Sequence, residues 1–523
     1  MIAAALPTSA SKALKWRSEF HFHRQCSSRN VDGSREASHY NDPGYSPVNN
    51  PLRLSESGTT LVDPNRWQPL WFSRAFTQNG LITSTVQVFV ASHWGGVRPF
   101  ALEDEEPTYL DPGAPPQLGG AGDADYKQGN LDVIRFSSWL DPSDGVMVDI
   151  SPRSQGLNTL GTNDGTGHGS SPNPATGEPY EPQVVKRADY GRVIAEFWAD
   201  GPRSETPPGH WNTLANSVSD HPDFARKYRG EGDELERLEW DVKLYFALNA
   251  ALHDSAVAAW GAKRVYDYVR PISSIRHLSG TGTLPETDGL VEVITAASSA
   301  PGERHAELVA NGASIGDTAI YAWAGEPANP ETEFSGSQWI LGEDWMPYQG
   351  DTFVTPAFAG YVSGHSTFSQ AAAEVLAFFT GSAYFPDGMG THTVPEGSLE
   401  FESGPSTDVT LQWATYYDAA DEAGISRLWG GIHVPADDGP GRIMGSAAGL
   451  SAMDVAAAYY DRSILATPIS AEFEPSEEGL SLSAKLVRGM YGKLQSSTNL
   501  TDWTDETSFK QILDSNTSWT IAP

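Results

Sequence analysis

The sequence predicts a mainly α-helical fold, in which an irregular N-terminal region precedes a helical bundle and a small β module follows it. The bundle is predicted because apolar residues after residue 187 recur at spacings of three and four, which is typical of helices with one buried face. The irregular region is rich in Gly, Pro, Asn, Asp and Ser, and the last segment alternates apolar and polar residues. We therefore divide the chain into 1–186, which packs on the bundle, 187–468 and 469–523.

Four helices are predicted in the bundle. The first carries a stripe that we expect to be buried, formed by Leu238, Val242, Tyr245, Phe246, Asn249, Leu252 and Ala256. The second carries the stripe Phe368, Ala371, Ala372, Val375, Leu376 and Phe379. The third should cover 411–425, and the fourth, 445–460, is rich in small residues that suit close helix packing.

The ends of the chain differ in pattern. Residues 1 to about 65 and 141–183 contain many turn-forming residues and are predicted to be irregular. Segments 480–487, 491–497 and 518–521 are predicted to be strands of the C-terminal module. This module weakly resembles β modules of exported bacterial proteins, so we expect an extracytoplasmic protein. The apolar run in Met1–Pro7 is shorter than a signal-peptide core, so no signal peptide is predicted there.

Composition restricts the function. The 523 residues include 34 Lys and Arg against 67 Asp and Glu, a net charge of −33, which disfavours nucleic acid and anionic membranes as partners. Any bound anion therefore needs a local cluster of positive groups. A single cysteine, Cys26, excludes an intrachain disulfide and a thiolate metal cluster. The longest candidate for a membrane span, 371–385, is too short and contains Glu374, so no span is predicted. The pattern leaves an oligomer open.

The first candidate site segment contains Lys263 and Arg270, which lie seven residues apart just before Pro271. That spacing is two helical turns, so both side chains can face the same side, and Pro271 should end the helix. Taken alone, the segment equally suits the solvated basic end of a helix.

The second segment is Ser363-Gly364-His365, where a loop turns into the second helix. A helix N-terminus presents free N–H groups and a partial positive charge to an anion. Ser363 can donate its hydroxyl, Gly364 allows close approach of the backbone, and His365 lies in the first turn. A plain serine cap with a surface histidine is the competing interpretation.

The third segment runs from Arg427 to His433 and is followed by Asp437. Arg427 can offer two parallel N–H groups to an oxyanion, and Gly430-Gly431 allows the chain to turn His433 back toward it. Asp437 can accept the other ring N–H of His433 and fix its tautomer. The alternative is a helix end with a core histidine beside acidic surface residues.

In this order, Lys-x6-Arg-Pro, Ser-Gly-His and Ser-Arg-x5-His resemble the superfamily of vanadium haloperoxidases and type 2 phosphatidic acid phosphatases. The resemblance covers about 235–460, and Tyr361-Val-Ser-Gly-His together with Gly430-Gly-Ile-His resembles the bacterial haloperoxidases. Val362 stands where proline is usual, at a position that supplies no side-chain donor.

The resemblance implies a vanadate cofactor and a role for each motif residue. His433 would be the axial vanadium ligand, and Lys263, Arg270, Arg427, Ser363 and the Gly364 N–H would hold the equatorial oxygens. His365 would act as acid and base toward hydrogen peroxide, and Lys263 would polarise the resulting peroxovanadate. Halide would then be oxidised to hypohalous acid, which reacts with small organic acceptors.

Two other functions are considered. In a soluble acid phosphatase of the superfamily, His433 would be the nucleophile and would carry a phosphohistidine. The chain length, the predicted lack of a span, and Trp260 and Phe358 favour the peroxidase, because these aromatic residues match positions that line the halide pocket of haloperoxidases; ordinary core packing is their alternative interpretation. A non-enzymatic binding protein that uses 469–523 would leave the three motifs unexplained.

Overall fold

The computed structural model describes residues 32–466, apart from 41, 77–80, 104–106, 161–168, 171 and 202–203, and the backbone of strands on either side. The chain divides into two compact units, Asn41–Met453 on the one hand and Met1–Tyr40 with Asp454–Pro523 on the other. No described helix has the length and apolarity that crossing a membrane requires.

The fold is mainly helical, as predicted. The described residues contain nine α-helices: α1 (Asp123–Ser138), α2 (Arg187–Phe197), α3 (Pro207–Asp220), α4 (Arg237–Tyr266), α5 (Pro271–Gly280), α6 (Ala306–Ala310), α7 (Gly364–Thr380), α8 (Tyr416–Trp429) and α9 (Pro435–Tyr460).

Short strands connect the helices and form the terminal sheets. They are β1 (Ala3–Ala5), β2 (Ala13–Glu19), β3 (Leu52–Arg53), β4 (Leu70–Trp71), β5 (Met147–Asp149), β6 (Val184–Lys186), β7 (Val291–Val293), β8 (Thr318–Trp323), β9 (Ser337–Leu341), β10 (Gly390–Val394), β11 (Val409–Trp413), β12 (Ser470–Ser476), β13 (Gly479–Lys485), β14 (Tyr491–Ser497), β15 (Thr504–Asp505), β16 (Lys510–Gln511) and β17 (Asn516–Ile521).

In the unit Met1–Tyr40 with Asp454–Pro523, the described strands form two antiparallel sheets. One has the strand order β12-β13-β17. In the other, β14 pairs with β2 over Ala13–Glu19, an N-terminal strand in a region that the sequence predicted to be irregular. The C-terminal β module is present as predicted, and its second sheet includes the start of the chain.

The unit Asn41–Met453 contains one large apolar core that draws on distant parts of the sequence. Leu70 and Leu102 are buried in the same cluster as Ile272 of α5. Residues of the predicted N-terminal region therefore pack into the core of the helical bundle. That region also contains the 16-residue helix α1, which the sequence pattern did not reveal.

Two predicted helices differ from the structure in detail. In α4, the expected buried stripe is wrong, because Leu238 and Val242 are 77% and 62% exposed, whereas Trp240 and Leu244 are fully buried. The third helix was predicted to begin at residue 411, which is before its actual start. Val409–Trp413 is strand β11, and α8 begins after Thr415, which forms a reciprocal capping box with Asp418.

Helix α7 is the central element of the candidate site, and its predicted apolar stripe is buried. Helix α9 approaches it closely at glycines. A Cβ at Gly445 would lie 2.2 Å from the carbonyl oxygen of Thr367, and one at Gly441 would lie 2.9 Å from that of Ser363. This close packing brings the start of α9 against the start of α7.

Candidate active site

His433 lies in the turn between α8 and α9 and is 2% exposed. Its Nδ1 lies 2.8 Å from Asp437 Oδ2, and its Nε2 lies 3.1 Å from Arg270 Nη1. A guanidinium only donates hydrogen bonds, so Nε2 must carry the lone pair and Nδ1 the hydrogen. Burial and the neighbouring Arg270 lower the pKa of His433 well below its usual range, so the ring is a neutral nucleophile or ligand at Nε2.

Asp437 lies in the first turn of α9 and is completely buried. Burial raises its pKa to about 7, and Lys263 and Arg270 act against this shift. Its Oδ2 also accepts the backbone N–H of Val434 at 3.3 Å. The carboxyl group therefore orients the imidazole of His433 from behind.

Arg270 lies at the N-cap of α5, not at the end of the preceding helix as the spacing suggested. Helix α4 ends at Tyr266, and Asp267 follows in a left-handed conformation with φ 47°. Pro271 therefore begins α5 rather than ending α4. Lys263 and Arg270 are brought together by this turn, and not by a shared helix face.

The Arg270 guanidinium is buried and only partly hydrogen-bonded. Its Nε donates to Phe358 O at 3.0 Å, and its Nη1 donates to Ile432 O at 2.8 Å as well as to His433. Its Nη2 has no hydrogen-bond partner among the residues that the structure describes. Burial lowers the pKa of Arg270 to about 10, so the group remains charged at neutral pH.

The guanidinium of Arg427, near the end of α8, is also buried and only partly hydrogen-bonded. Its Nε donates to Ser426 Oγ at 3.0 Å, and its Nη2 donates to Ala195 O at 2.8 Å. Its Nη1 is buried and has no partner within the described part of the chain. Burial lowers its pKa to about 10 as well.

Ser363 is the N-cap of α7, and its Oγ accepts the N–H of Ser366 at 3.3 Å. The hydroxyl hydrogen is not used in that bond and can be donated to an anion. The N–H of Ser363 donates to Asp437 O at 2.9 Å, which joins this loop to His433. Gly364 is the first residue of the helix, where backbone N–H groups are free of intrahelical bonds.

His365 follows in the first turn of α7 and is 6% exposed. Its Nε2 lies 2.7 Å from the carbonyl oxygen of Trp198 and therefore carries the hydrogen. Burial, with Arg427 nearby, lowers the pKa of His365 well below its usual range. The ring is neutral, and Nδ1 is the nitrogen with the lone pair.

Lys263 is fully buried near the end of α4. Its Nζ lies 2.8 Å from the carbonyl oxygens of Ala359 and Gly360 and 2.6 Å from that of Val362. Burial and Arg270 lower its pKa well below the usual range, whereas Asp437 and the carbonyl contacts favour the charged form. All three ammonium donors thus hold the loop before Ser363, so Lys263 must release a carbonyl to reach an anion.

Trp260 and Phe358 form an aromatic pair beside Lys263. Their ring centroids are 4.8 Å apart, and Lys263 Nζ lies 5.1 Å from the Phe358 centroid and 5.9 Å from that of Trp260. The Trp260 indole donates to Val90 O. Both side chains are half-buried, so the pair lies where the site approaches the surface.

Asp200 belongs to the same site, although sequence reasoning missed it. Burial raises its pKa to about 7, and Arg427 and Arg270 act to lower it. It follows helix α2, far in sequence from the three motifs, and its local pattern matches that of many surface acids. Only the tertiary structure brings it near the arginines.

The structure therefore brings the three motifs together into one positively charged, buried site. We call the seven residues the oxyanion cradle: Lys263, Arg270, Ser363, Gly364, His365, Arg427 and His433. Two buried guanidinium NH2 groups without partners among the described residues suit a tetrahedral oxyanion, because an unmet buried donor is costly and an anion would satisfy it. The lone pair of His433 Nε2 suits the electrophilic central atom of such an anion. Vanadate and phosphate both fit this donor set.

Comparisons with known proteins find a similar domain and a similar fold. Residues 243–462 match the family model of the VCPO second helical-bundle domain. The apo form of a bacterial vanadium-dependent chloroperoxidase superposes with a TM-score of 0.53 at 18% identity, over 82% of this chain and 71% of that one. This likeness supports a common fold. No curated protein matches the sequence.

Two further solved structures superpose less well. The holo form of a bacterial vanadium-dependent chloroperoxidase gives a TM-score of 0.49 at 18% identity, over 82% of this chain and 69% of that one. A bacterial vanadium-dependent iodoperoxidase gives 0.41 at 17% identity, over 76% and 62%. The family match includes every residue of the oxyanion cradle, so residues 243–462 resemble the second helical-bundle domain of that family.

Proposed function

We propose that this protein is a vanadate-dependent haloperoxidase that oxidises halide with hydrogen peroxide to hypohalous acid. The observation that carries the proposal is that Arg270 Nη2 and Arg427 Nη1, both buried and without partners among the described residues, belong to side chains whose charges act on His433, which has a lone pair at Nε2. These atoms suit a cofactor that is both an oxyanion and a metal centre.

In this proposal, His433 Nε2 binds vanadium, and Arg270, Arg427, Ser363 and the Gly364 N–H hold the vanadate oxygens. Arg270 Nη1 now donates to His433 Nε2 and would turn to a vanadate oxygen when that nitrogen becomes a ligand. Vanadate, when bound, supplies a Lewis-acid centre that activates hydrogen peroxide toward halide. Asp437 keeps the hydrogen of His433 on Nδ1, so that Nε2 stays available.

His365 is proposed as the acid and base toward peroxide. Its Nε2 hydrogen is held by the Trp198 carbonyl, so Nδ1 takes a proton from hydrogen peroxide and later returns it. The lowered pKa of His365 keeps the ring neutral and ready for the first transfer. Arg427 and Arg270 offset the negative charge that this transfer leaves behind.

The aromatic pair Trp260 and Phe358 is proposed to receive the halide. Aromatic walls strip water from the ion, and the nearby Lys263 ammonium attracts it. Lys263 would polarise the reacting oxygen if one of its three carbonyl bonds opened. Small organic acceptors then consume the hypohalous acid.

The proposal is tested by loading metal-free protein with vanadate or with phosphate. We expect vanadate alone to confer peroxide-dependent bromination of a phenol dye, while an aryl phosphate is not hydrolysed. Hydrolysis of the phosphate ester without bromination would reject the peroxidase and support a phosphatase that acts through His433.

The ligand assignment is tested with His433→Ala. Its vanadate affinity should fall by more than the roughly 10–100-fold that loss of an outer partner costs. His305→Ala is the matched control, because His305 is also fully buried but hydrogen-bonds to Ser298 away from the cradle. Unchanged vanadate affinity in His433→Ala would exclude the assignment.

A further inference from the structure

The last turn of helix α2 and the residues that follow it form one wall of the oxyanion cradle. The carbonyl oxygen of Ala195 accepts from Arg427 at 2.8 Å, and that of Trp198 accepts from His365 at 2.7 Å. The charge of Asp200 acts on Arg427 from the same segment. Every second or third residue of this stretch therefore contacts or faces the cradle.

Neighbouring residues of the same stretch line a separate cavity. Phe197, Ala199 and Gly201 border a cavity of about 630 Å³, whose other walls come from helix α3 and from residues 385–413. This volume is sufficient for a small organic molecule of two or three rings. The cavity and the cradle thus share one thin wall.

Four large aromatic side chains lie among the residues that line this cavity, together with the three acids Glu196, Glu205 and Glu400. The aromatic residues are Phe197, Phe385, Phe401 and Trp413. The Phe197 ring lies 4.4 Å from that of His392 and is nearly parallel to that of Trp413, at 26° and 6.1 Å. Such faces favour a planar aromatic ligand.

His210 supplies a polar group in the same cavity. It is 7% exposed, and its ring packs 4.7 Å from that of Phe197 and 5.0 Å from that of Trp198. Its Nε2 is 3.9 Å from Glu205 Oε2, which is too far for a hydrogen bond. No other hydrogen bond of this nitrogen is found among the described residues. Burial lowers the pKa of His210 to about 4, so the ring is neutral and can accept a hydroxyl hydrogen.

We propose that this cavity binds the organic acceptor of the reaction, and that the acceptor is an electron-rich aromatic alcohol such as a phenol or naphthol. Its ring lies against Phe197 and Trp413, and its hydroxyl donates to His210. The inference rests on the proposed function, which supplies the hypohalous acid. An aromatic C–H and the O–X bond of the acid break, a C–X bond forms, and water leaves; the ring carbon is oxidised and the halogen reduced.

The first experiment measures binding of β-naphthol to the full-length protein by its fluorescence, with Ser217→Trp as the variant. Ser217 lines the cavity from an exposed position on α3, so the indole should fill the cavity without disturbing the core. We expect the dissociation constant to rise by at least about tenfold, which corresponds to a loss of about 1.4 kcal/mol of binding free energy. Leu238→Trp is the control, because Leu238 is exposed on α4 and does not border the cavity.

The second variant, His210→Phe, keeps a ring of similar size but removes the hydrogen bond. It should weaken β-naphthol binding by about two- to tenfold, the usual worth of one hydrogen bond. Equal affinity in Ser217→Trp and Leu238→Trp would overturn the cavity as the binding site.

Iodide oxidation without any organic acceptor separates the two proposals. Vanadate-loaded Ser217→Trp should form triiodide at the wild-type rate but halogenate β-naphthol more slowly. If triiodide formation and β-naphthol halogenation slowed equally, the cavity would be rejected as the acceptor site, since damage to the cradle would explain both losses. Binding of β-naphthol in a wild-type protein that oxidises no halide would overturn the proposed function and, with it, the acceptor role.

Discussion

Two sets of buried arginines in the same unit differ in how their donors are satisfied. Arg192 on α2 donates to the carboxylates of Asp189 and Glu402, and also to the carbonyls of Ala188 and Ser403. All of its nitrogens have partners. Arg270 and Arg427 instead donate mainly to carbonyls, and each keeps one buried N–H without a described partner.

This difference in hydrogen bonding distinguishes a structural ion cluster from the proposed binding site. Around Arg192, two carboxylates compensate the charge, and Glu402 also accepts the Trp323 indole N–H. In the cradle, Asp200 and Asp437 have pKa values near 7, so they compensate the positive charge incompletely. Unmet donors and excess positive charge are costly in a buried site and favour the binding of an anion.

The largest effect is expected from Arg192→Ala. This variant leaves Asp189 and Glu402 buried without their partner, which should lower the free energy of unfolding by about 3–5 kcal/mol. Chemical denaturation measures the change. Arg135→Ala is the control, because Arg135 is 40% exposed and pairs with Asp132 at the surface, so its loss should cost no more than about 1 kcal/mol. Similar losses of unfolding free energy in both variants would show that the buried ion cluster stabilises the fold no more than a surface ion pair does.

The second effect is stabilisation of the cradle by its ligand. Vanadate at a hundredfold excess over its dissociation constant should raise the free energy of unfolding by about 2.7 kcal/mol, because it binds only the folded state. Arg427→Ala should lose most of this increase. A shift of equal size in Arg427→Ala would show that vanadate stabilises the protein from another site.

The third effect concerns the carboxyl group behind His433. Asp437→Asn should weaken vanadate binding by about 10–100-fold, because the neutral amide no longer holds the imidazole as a strong ligand. Asp438→Asn is the matched control: it is also buried on α9, but its carboxylate accepts from Ser366. If both variants bound vanadate as the wild type does, the orienting role of Asp437 would be refuted.

The sequence predicted the local setting of the cradle residues better than it predicted the helices that position them. Local chemistry marks Ser363 as a helix cap and places His365 in the first turn, and the structure has both features. The expected shared helix for Lys263 and Arg270 was wrong, because Asp267 ends α4 in a left-handed conformation that the spacing could not reveal.

Features set by distant contacts escaped sequence reasoning. The exposed stripe of α4 looked like a buried one, because Leu238 and Val242 are as apolar as core residues. The two arginines that act to lower the pKa of Asp200, Arg427 and Arg270, lie more than 60 residues away along the chain. The exposure of Leu238 and Val242 and the surroundings of Asp200 both depend on tertiary packing, about which a local sequence pattern carries no information.

The smallest effect on stability is expected at Gly364, where the contrast between cradle and packed core is most direct. A Cβ there would meet the Phe368 ring at 3.5 Å and the Trp260 ring at 3.7 Å, which are ordinary contacts. Gly364→Ala should therefore leave the free energy of unfolding unchanged or raise it by up to about 1 kcal/mol, because alanine favours a helix. Its cost should fall on halide oxidation, since the methyl group enters the aromatic side of the cradle.

Gly191 on α2 is the matched control in the core. A Cβ at that position would lie 2.2 Å from the Trp429 ring, so Gly191→Ala should lower stability by about 1–3 kcal/mol through overpacking. Thermal denaturation of the two variants side by side measures the contrast. If Gly364→Ala lost as much stability as Gly191→Ala, the glycine of the cradle would serve packing rather than space for an anion.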